Sequence, residues 1–344
     1  MQVRKRNSKK WIVGLAVLAT FLFISGPDSS YAVKPISNPC GVTKTDFTGM
    51  STVSQVMKTP AFKDFGRLLF PVGRPIPDDM TLSNISSPVV YVGYTNVKTK
   101  NTVEIANYLK RQAEQGKKIF YPIYSEQERK EDAAKADTGL FYFRGRPGEK
   151  YAILSAGGGF LYVAAMQDSF PQALELSKQG YNAFALIYRP DHPYEDLARA
   201  MAYVHDHADE LHVDSKNYSL WGGSAGGRMT AMLGKWDNVV SYTGRTDIDQ
   251  AAAVILQYTD YDAVSADDPP TYICVGSDDT IVDWHIMKQR SRQLEAKGIP
   301  VDFYVYPGLQ HGFGLGTGTV AEGWVTDAIA FWEAQSRCAI ARRR

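Results

Sequence analysis

The chain has 344 residues, 38 Lys and Arg against 37 Asp and Glu, 44% hydrophobic residues and three cysteines. So even a balance excludes the clustered basic excess of a nucleic-acid binder, the apolar fraction excludes a disordered or fibrous chain, and three cysteines are too few for a disulfide-built scaffold. At roughly 150 residues per domain, the length fits one large domain or two small ones.

The first element is a basic stretch, Arg4, Lys5, Arg6, Lys9 and Lys10, followed by the apolar run Trp11–Ile24. The run is too short for a bilayer-spanning helix, which needs roughly 20 residues, but it has the length and flanks of a signal-peptide core. Gly26-Pro27 ends it, and Ser30 and Ala32 put small residues at the −3 and −1 positions of a cleavage site. Residues 1–32 are therefore expected to be a signal peptide cleaved after Ala32, giving a secreted or cell-envelope protein with no stable membrane insertion. No cysteine follows Ala32 directly to carry a lipid anchor. Removing five basic and one acidic residue leaves a mildly acidic mature chain. In an oxidising compartment Cys40 and Cys338, near the two ends, are positioned to pair, whereas Cys274 lies inside the apolar run TYICVG and is expected to be a buried free thiol.

Residues 33–116 are rich in Pro, Thr, Ser and Asn, with a weak strand at Val89–Tyr94 and one clear helix at Val103–Gln115. They read as an N-terminal extension that cannot readily form its own core and packs on the domain after it, as a possible cap over the active-site rim. From residue 117 to 344 short β-branched or aromatic runs alternate with helical stretches. The predicted strands are Lys118–Tyr124, Leu140–Arg144, Tyr151–Ser155, Ala183–Tyr188, Tyr218–Trp221, Ala252–Gln257, Thr271–Gly276 and Val301–Tyr306. Most are apolar throughout, as in strands covered on both faces. Helices are expected near 171–179, 194–210, 225–235, 284–297 (stopped by Gly298) and 320–336, with Ser125 and Glu128 forming a capping box that opens a charged helix running to Ala136. The alternation predicts an α/β domain with a mainly parallel sheet and helices on both faces.

The strongest motif is Gly222-Gly223-Ser224-Ala225-Gly226, a Gly-x-Ser-x-Gly sequence between a predicted strand and a predicted helix. A serine on so tight a turn needs small residues two places either side, and the helix N-terminus behind it favours negative charge. The second is Gly157-Gly158-Gly159, directly after the strand YAILS, whose N–H groups can approach a developing oxyanion together with that of Ala225. It lacks the spacing of a dinucleotide or Walker loop. A serine needs a base, and only His285 and His311 follow Ser224. His285 falls within an amphipathic helix, whereas His311 lies in the glycine-rich loop PGLQHGFG after the last strand. The loop after TYICVG offers two adjacent carboxylates, and the register Gly276-x-x-Asp279-x-x-Val282 favours Asp279 over Asp278. His192, His205, His207 and His212 make no metal-binding spacing, and no cofactor is expected.

From about Leu140 to Phe331 these motifs resemble the α/β-hydrolase superfamily, most closely its exported carbohydrate-esterase and hormone-sensitive-lipase-like branches. AGGGF stands where those families carry HGGG or PGGG, FALIYRP resembles their strand ending in Tyr-Arg, and GSDDTIVD and QHGF resemble their acid and histidine loops. Ala156 replaces the histidine that often opens the oxyanion motif, which favours the polysaccharide-esterase branch. The resemblance implies Ser224 as nucleophile, Asp279 as orienting acid, His311 as base, and Gly158, Gly159 and Ala225 as oxyanion donors. The expected activity is hydrolysis of a small-molecule or polysaccharide carboxylic ester through an acyl-enzyme. A serine peptidase of the same fold and a non-catalytic envelope protein with a hydrolase shell are the alternatives. The stretch QYTDYDAVSADDPP is too short for a large lid, which suggests an open site or one walled by the N-terminal extension. Phe160, Tyr162, Tyr188, Tyr258, Tyr261 and Trp284 lie near the motifs, either as a substrate-stacking wall or as packing.

Overall fold

A computed structural model describes residues 46–342, with side chains to Cys338. The expected signal segment and Cys40 lie outside the described residues, and with Cys40 the pairing to Cys338. Residues from Asp46 onward form one compact unit.

Its centre is an eight-stranded sheet: β1 (Phe120–Tyr121), β2 (Gly139–Phe143), β3 (Lys150–Ser155), β4 (Asn182–Ile187), β5 (Asp214–Gly223), β6 (Ala253–Gln257), β7 (Thr271–Gly276) and β8 (Val301–Tyr306). The spatial order is β1-β2-β4-β3-β5-β6-β7-β8. β1 and β2 run antiparallel to their neighbours, and β3 to β8 are parallel. All eight strands overlap the expected runs, although β1 is only two residues long and β5 starts at Asp214, four residues before Tyr218. Strands β2, β4, β6 and β7 are buried along their whole length, because helices cover both faces and leave no solvent side to alternate toward. Cys274 is one of these buried residues.

The chain leaves β3 for β4 on one side, then returns across to β5 on the other. In parallel sheets this reversal opens a crevice at the carboxyl ends of the two strands. The Gly157–Gly159 loop ends β3 there, and Ser224 ends β5.

The main helices are Thr99–Glu114, Phe170–Lys178, Pro193–Asp206, Ala225–Leu233, Trp284–Ala296 and Trp324–Arg342. Ser125 and Glu128 do form a capping box, but the helix stops at Glu131, and Asp132 caps a separate 3-10 turn, Ala133–Asp137. The last helix starts at Trp324 rather than near 320, after Gly316, Gly318 and Gly323 have all taken positive φ. A further helix, Trp236–Thr243, is absent from the sequence-based expectation; it is eight residues long, and only Val239 of it is buried. Val89–Tyr94 is not a strand. It folds into turns, with Val90 and Tyr91 N–H both donating to the Ser87 carbonyl, and its buried residues (Val90, Tyr91, Tyr94) do not alternate.

Residues 46–116 share the core of the sheet: Val56, Phe62, Leu69, Leu82, Ile105 and Leu109 are buried in the same contiguous apolar cluster as the strands. At the end of β4, Arg189 is buried against Asp196 of the helix Pro193–Asp206 (Nη2 to Oδ1, 2.8 Å) and also reaches the Tyr124 hydroxyl at 3.2 Å. This fixes the strand end, the helix start and the segment before β2 together.

Candidate active site

Ser224 caps the helix Ala225–Leu233 with φ 52° and ψ −123°, a conformation that costs a non-glycine residue on the order of 1–3 kcal/mol and survives only when its surroundings enforce it. Its N–H is held by the Gln257 carbonyl at 2.9 Å. A Cβ on Gly222 would collide with the Gly226 carbonyl, and one on Gly226 with the Ser155 carbonyl. The two glycines allow strand and helix to approach this closely.

The structure brings together the three side chains that the sequence singles out. His311 Nε2 lies 3.0 Å from Ser224 Oγ, and its Nδ1 lies 2.7 Å from Asp279 Oδ2. Both the imidazole and the carboxylate are buried. The other oxygen of Asp279 accepts the N–H groups of Ile281 (2.9 Å) and Val282 (2.8 Å). An ionised carboxylate can only accept, so the ring proton sits on Nδ1 and Nε2 is left to accept from the serine hydroxyl. Asp278 is exposed and bonded to the neighbouring Ser277. His285 is exposed and bonded to Asp283.

The glycine loop divides its donors. Gly157 gives its N–H to Asp168 Oδ2 at 2.6 Å. Among the described residues none accepts from the N–H groups of Gly158, Gly159 or Ala225. Gly158 has φ 126° and a tight turn comes after it, its carbonyl accepting from Leu161 and Tyr162; a Cβ there would strike the Tyr162 carbonyl oxygen. Ala156, in the position the resemblance gives to histidine, is buried with its carbonyl bonded to Tyr188.

A cavity of about 390 Å³ opens over Ser224 and His311, lined also by Gly158, Gly159, Leu161, Tyr162, Ile281 and residues 73, 74 and 92–94. One wall therefore comes from the chain before the sheet. That wall is fastened at several points: Thr95 donates from N to the Gly312 carbonyl and from Oγ1 to the His311 carbonyl (2.8 Å), Tyr162 bonds the Val92 carbonyl (2.9 Å), and Val163 bonds the Val72 carbonyl (2.9 Å). The rim is apolar, with Leu161 78%, Ile281 60% and Val92 58% exposed. The guanidinium of Arg74 lies over the Tyr162 ring.

Of the six aromatic residues near the motifs, only Tyr162 lines this cavity. Tyr188, Tyr258 and Tyr261 are buried, Phe160 packs on Tyr188 and Tyr194, and Trp284 stacks on His285. They are packing. Tyr94, which does line it, is hidden in the sequence by the strand-like composition of Val89–Tyr94. Asp168 carries no motif either, although a lone acidic residue between Gly159 and Glu175 is a signal. Burial raises its carboxyl to about 6, against the lowering effect of hydrogen bonds from Tyr258, the Gly157 N–H and Tyr94 and of the nearby His311. Among the described residues no group of His, Cys, Asp or Glu is placed to hold a metal ion.

A solved structure, the acetyl ester-xyloside bifunctional hydrolase from Caldicellulosiruptor lactoaceticus, superposes on this fold with a TM-score of 0.53 at 20% identity over 62% of this chain and 95% of that one. The chain has the α/β-hydrolase fold. Residues 147–258 of this chain, from just before β3 past the serine turn, match the BD-FAE family model. It is 26% identical over 214 residues to endo-1,4-beta-xylanase B of Butyrivibrio fibrisolvens, and 23% identical over 195 residues to acetylxylan esterase of Xylanibacter ruminicola. The matched regions are 50% and 47% of this chain but only 34% and 40% of those relatives.

Proposed function

We propose that this α/β-hydrolase is an exported serine esterase that hydrolyses carboxylic esters, carried by a carbohydrate or with a short acyl group, through an acyl-enzyme. The observation that carries the reading is His311 bridging Ser224 and Asp279 in a cavity onto which unengaged backbone donors open.

Ser224 Oγ attacks the ester carbonyl carbon as its proton passes to His311 Nε2. The carbonyl oxygen becomes an oxyanion, held by the N–H groups of Ala225 and of Gly158 or Gly159; each such donor contributes about 3 kcal/mol to the transition state. The imidazolium then protonates the departing alkoxide, and the alcohol leaves a serine-bound acyl group. Water, deprotonated by His311, attacks that group, and collapse of the second tetrahedral intermediate returns the proton to Ser224 and frees the acid. Asp279 stays ionised throughout and keeps the imidazole oriented.

The cavity volume, at the lower end of the range for ligand sites, suits a small acyl group with part of its alcohol. The names of the acetylxylan esterase and of the acetyl ester-xyloside hydrolase support a carbohydrate-linked ester, and the basic and apolar run in residues 4–24 supports export. The test uses p-nitrophenyl esters from acetyl to octanoyl, with Ser224→Ala as control, followed by acetylated and feruloylated polysaccharides. Wild-type turnover that the variant lacks supports the reading. Equal inactivity of both, with Ser224 unlabelled by a fluorophosphonate, sinks it.

A further inference from the structure

Asp168 is a fully buried carboxylate one layer behind the reacting atoms. It is held by donors from three separate parts of the chain. Tyr94, from the cavity wall before the sheet, donates to Oδ2 at 2.8 Å, and the Gly157 N–H donates to the same oxygen. Tyr258, at the end of β6, donates to Oδ1. Tyr258 in turn packs its ring 4.9 Å from the His311 imidazole. Both phenols are driven well above their ordinary pKa by burial and by the carboxylate itself, so they remain donors.

Resting on the esterase reading, we infer that Asp168 is a positioning residue for acyl transfer: its ionised carboxylate takes up the Gly157 N–H, which turns the N–H groups of Gly158 and Gly159 toward the oxyanion, and through Tyr258 it braces His311. Three donors fill three of the roughly four lone-pair sites of the carboxylate, and each of those bonds is strongest while the oxygens carry the charge. Oδ1 has only Tyr258 as donor, and a proton added to its other lone pair weakens that bond and loosens the ring beside His311. The titratable groups around Asp168 are Tyr94, Tyr258, Tyr162, Tyr188, Cys274 and His311. The four phenols and the thiol stay neutral below pH 9, because burial raises each of them. Of these groups Asp168 is the one whose carboxyl burial lifts toward neutrality, to about 6.

The experiment compares wild type with Asp168→Asn, and with a Tyr94→Phe, Tyr258→Phe double variant that keeps the carboxylate but removes two of its donors. Measured for each are steady-state kinetics on p-nitrophenyl acetate from pH 4.5 to 8.5 and the rate of Ser224 labelling by a fluorophosphonate. The expected result for Asp168→Asn is a fall in kcat of a hundredfold or more with KM within threefold. Labelling should slow in parallel, and the acid limb of log kcat/KM should lose one unit of slope. The double variant should lose tenfold or more in kcat even if Asp168→Asn does not fold. Labelling at the wild-type rate in whichever variants fold, or an acid limb of unchanged slope without the carboxylate, overturns the assignment and leaves the esterase reading intact. A wild-type protein whose Ser224 takes no label overturns both.

Discussion

Asp168 occupies the space that a side chain on Gly223 would need: a Cβ there would overlap both carboxylate oxygens. Gly223 is thus fixed by its contact with the carboxylate, whereas Gly222 and Gly226 are fixed by strand-to-helix contact. Gly223→Ala should displace Asp168 and lower kcat at least tenfold, with a stability loss of about 1–3 kcal/mol from overpacking. Steady-state kinetics and urea melts measure both.

Gly159 gives the contrasting case. It has φ 65°, but a Cβ there meets nothing within 4 Å. Gly159→Ala should cost only about 1 kcal/mol, the penalty of a left-handed alanine, and leave turnover within a few-fold of wild type. Gly158→Ala should abolish turnover or folding, because its Cβ has nowhere to go.

In Asp279→Asn the side-chain oxygen is needed for the Ile281 and Val282 N–H groups. The amide NH₂ must then face His311 Nδ1, which forces the ring proton onto Nε2, where it cannot accept from Ser224. A kcat loss of about 10⁴-fold is expected, by the wrong-tautomer effect known for the equivalent change in serine proteases. The melting temperature should move little.

Burial lifts the Asp168 carboxyl from its ordinary range to about 6. The folded protein therefore binds this proton more tightly than the unfolded chain, and the group's stabilising contribution is complete below about pH 4 and lost as pH rises through 6. A rise of that size corresponds to about 3 kcal/mol. The stability difference between Asp168→Asn and wild type should accordingly swing toward the variant by about that amount between pH 4 and pH 8. Denaturant melts across that range measure the swing.

Arg189→Met should leave Asp196 buried without its cation and destabilise the fold by about 3–5 kcal/mol. Replacing both members with apolar residues should recover part of the loss.

How much of the molecule is legible in the sequence depends on how local each signal is. The strands of the sheet are legible because most are short apolar runs bounded by turn residues; in β5 only the apolar end from Tyr218 is. Ser224, His311 and Asp279 are legible because each sits at a loop whose glycines and register are themselves local. Tyr94 and Asp168 meet across 74 positions in the chain, and neither carries a motif. Val89–Tyr94 has the composition of a strand because it must be half-buried, yet no neighbouring strand offers its backbone a ladder, so it turns instead. The aromatic residues near the motifs mostly serve the core, and composition cannot separate a ring that lines a cavity from one that supports it.

The wall over Ser224 is bonded to the loop that carries Gly158, to the loop that carries His311 and, through Tyr94, to the carboxylate between them. A cover tied at both ends to the parts it covers has no hinge of its own. Hydrolysis should therefore rise hyperbolically with dissolved substrate and continue through the solubility limit without a jump, the absence of interfacial activation being a direct reading of those bonds. Inhibitor labelling should likewise proceed in a single exponential from the first turnover.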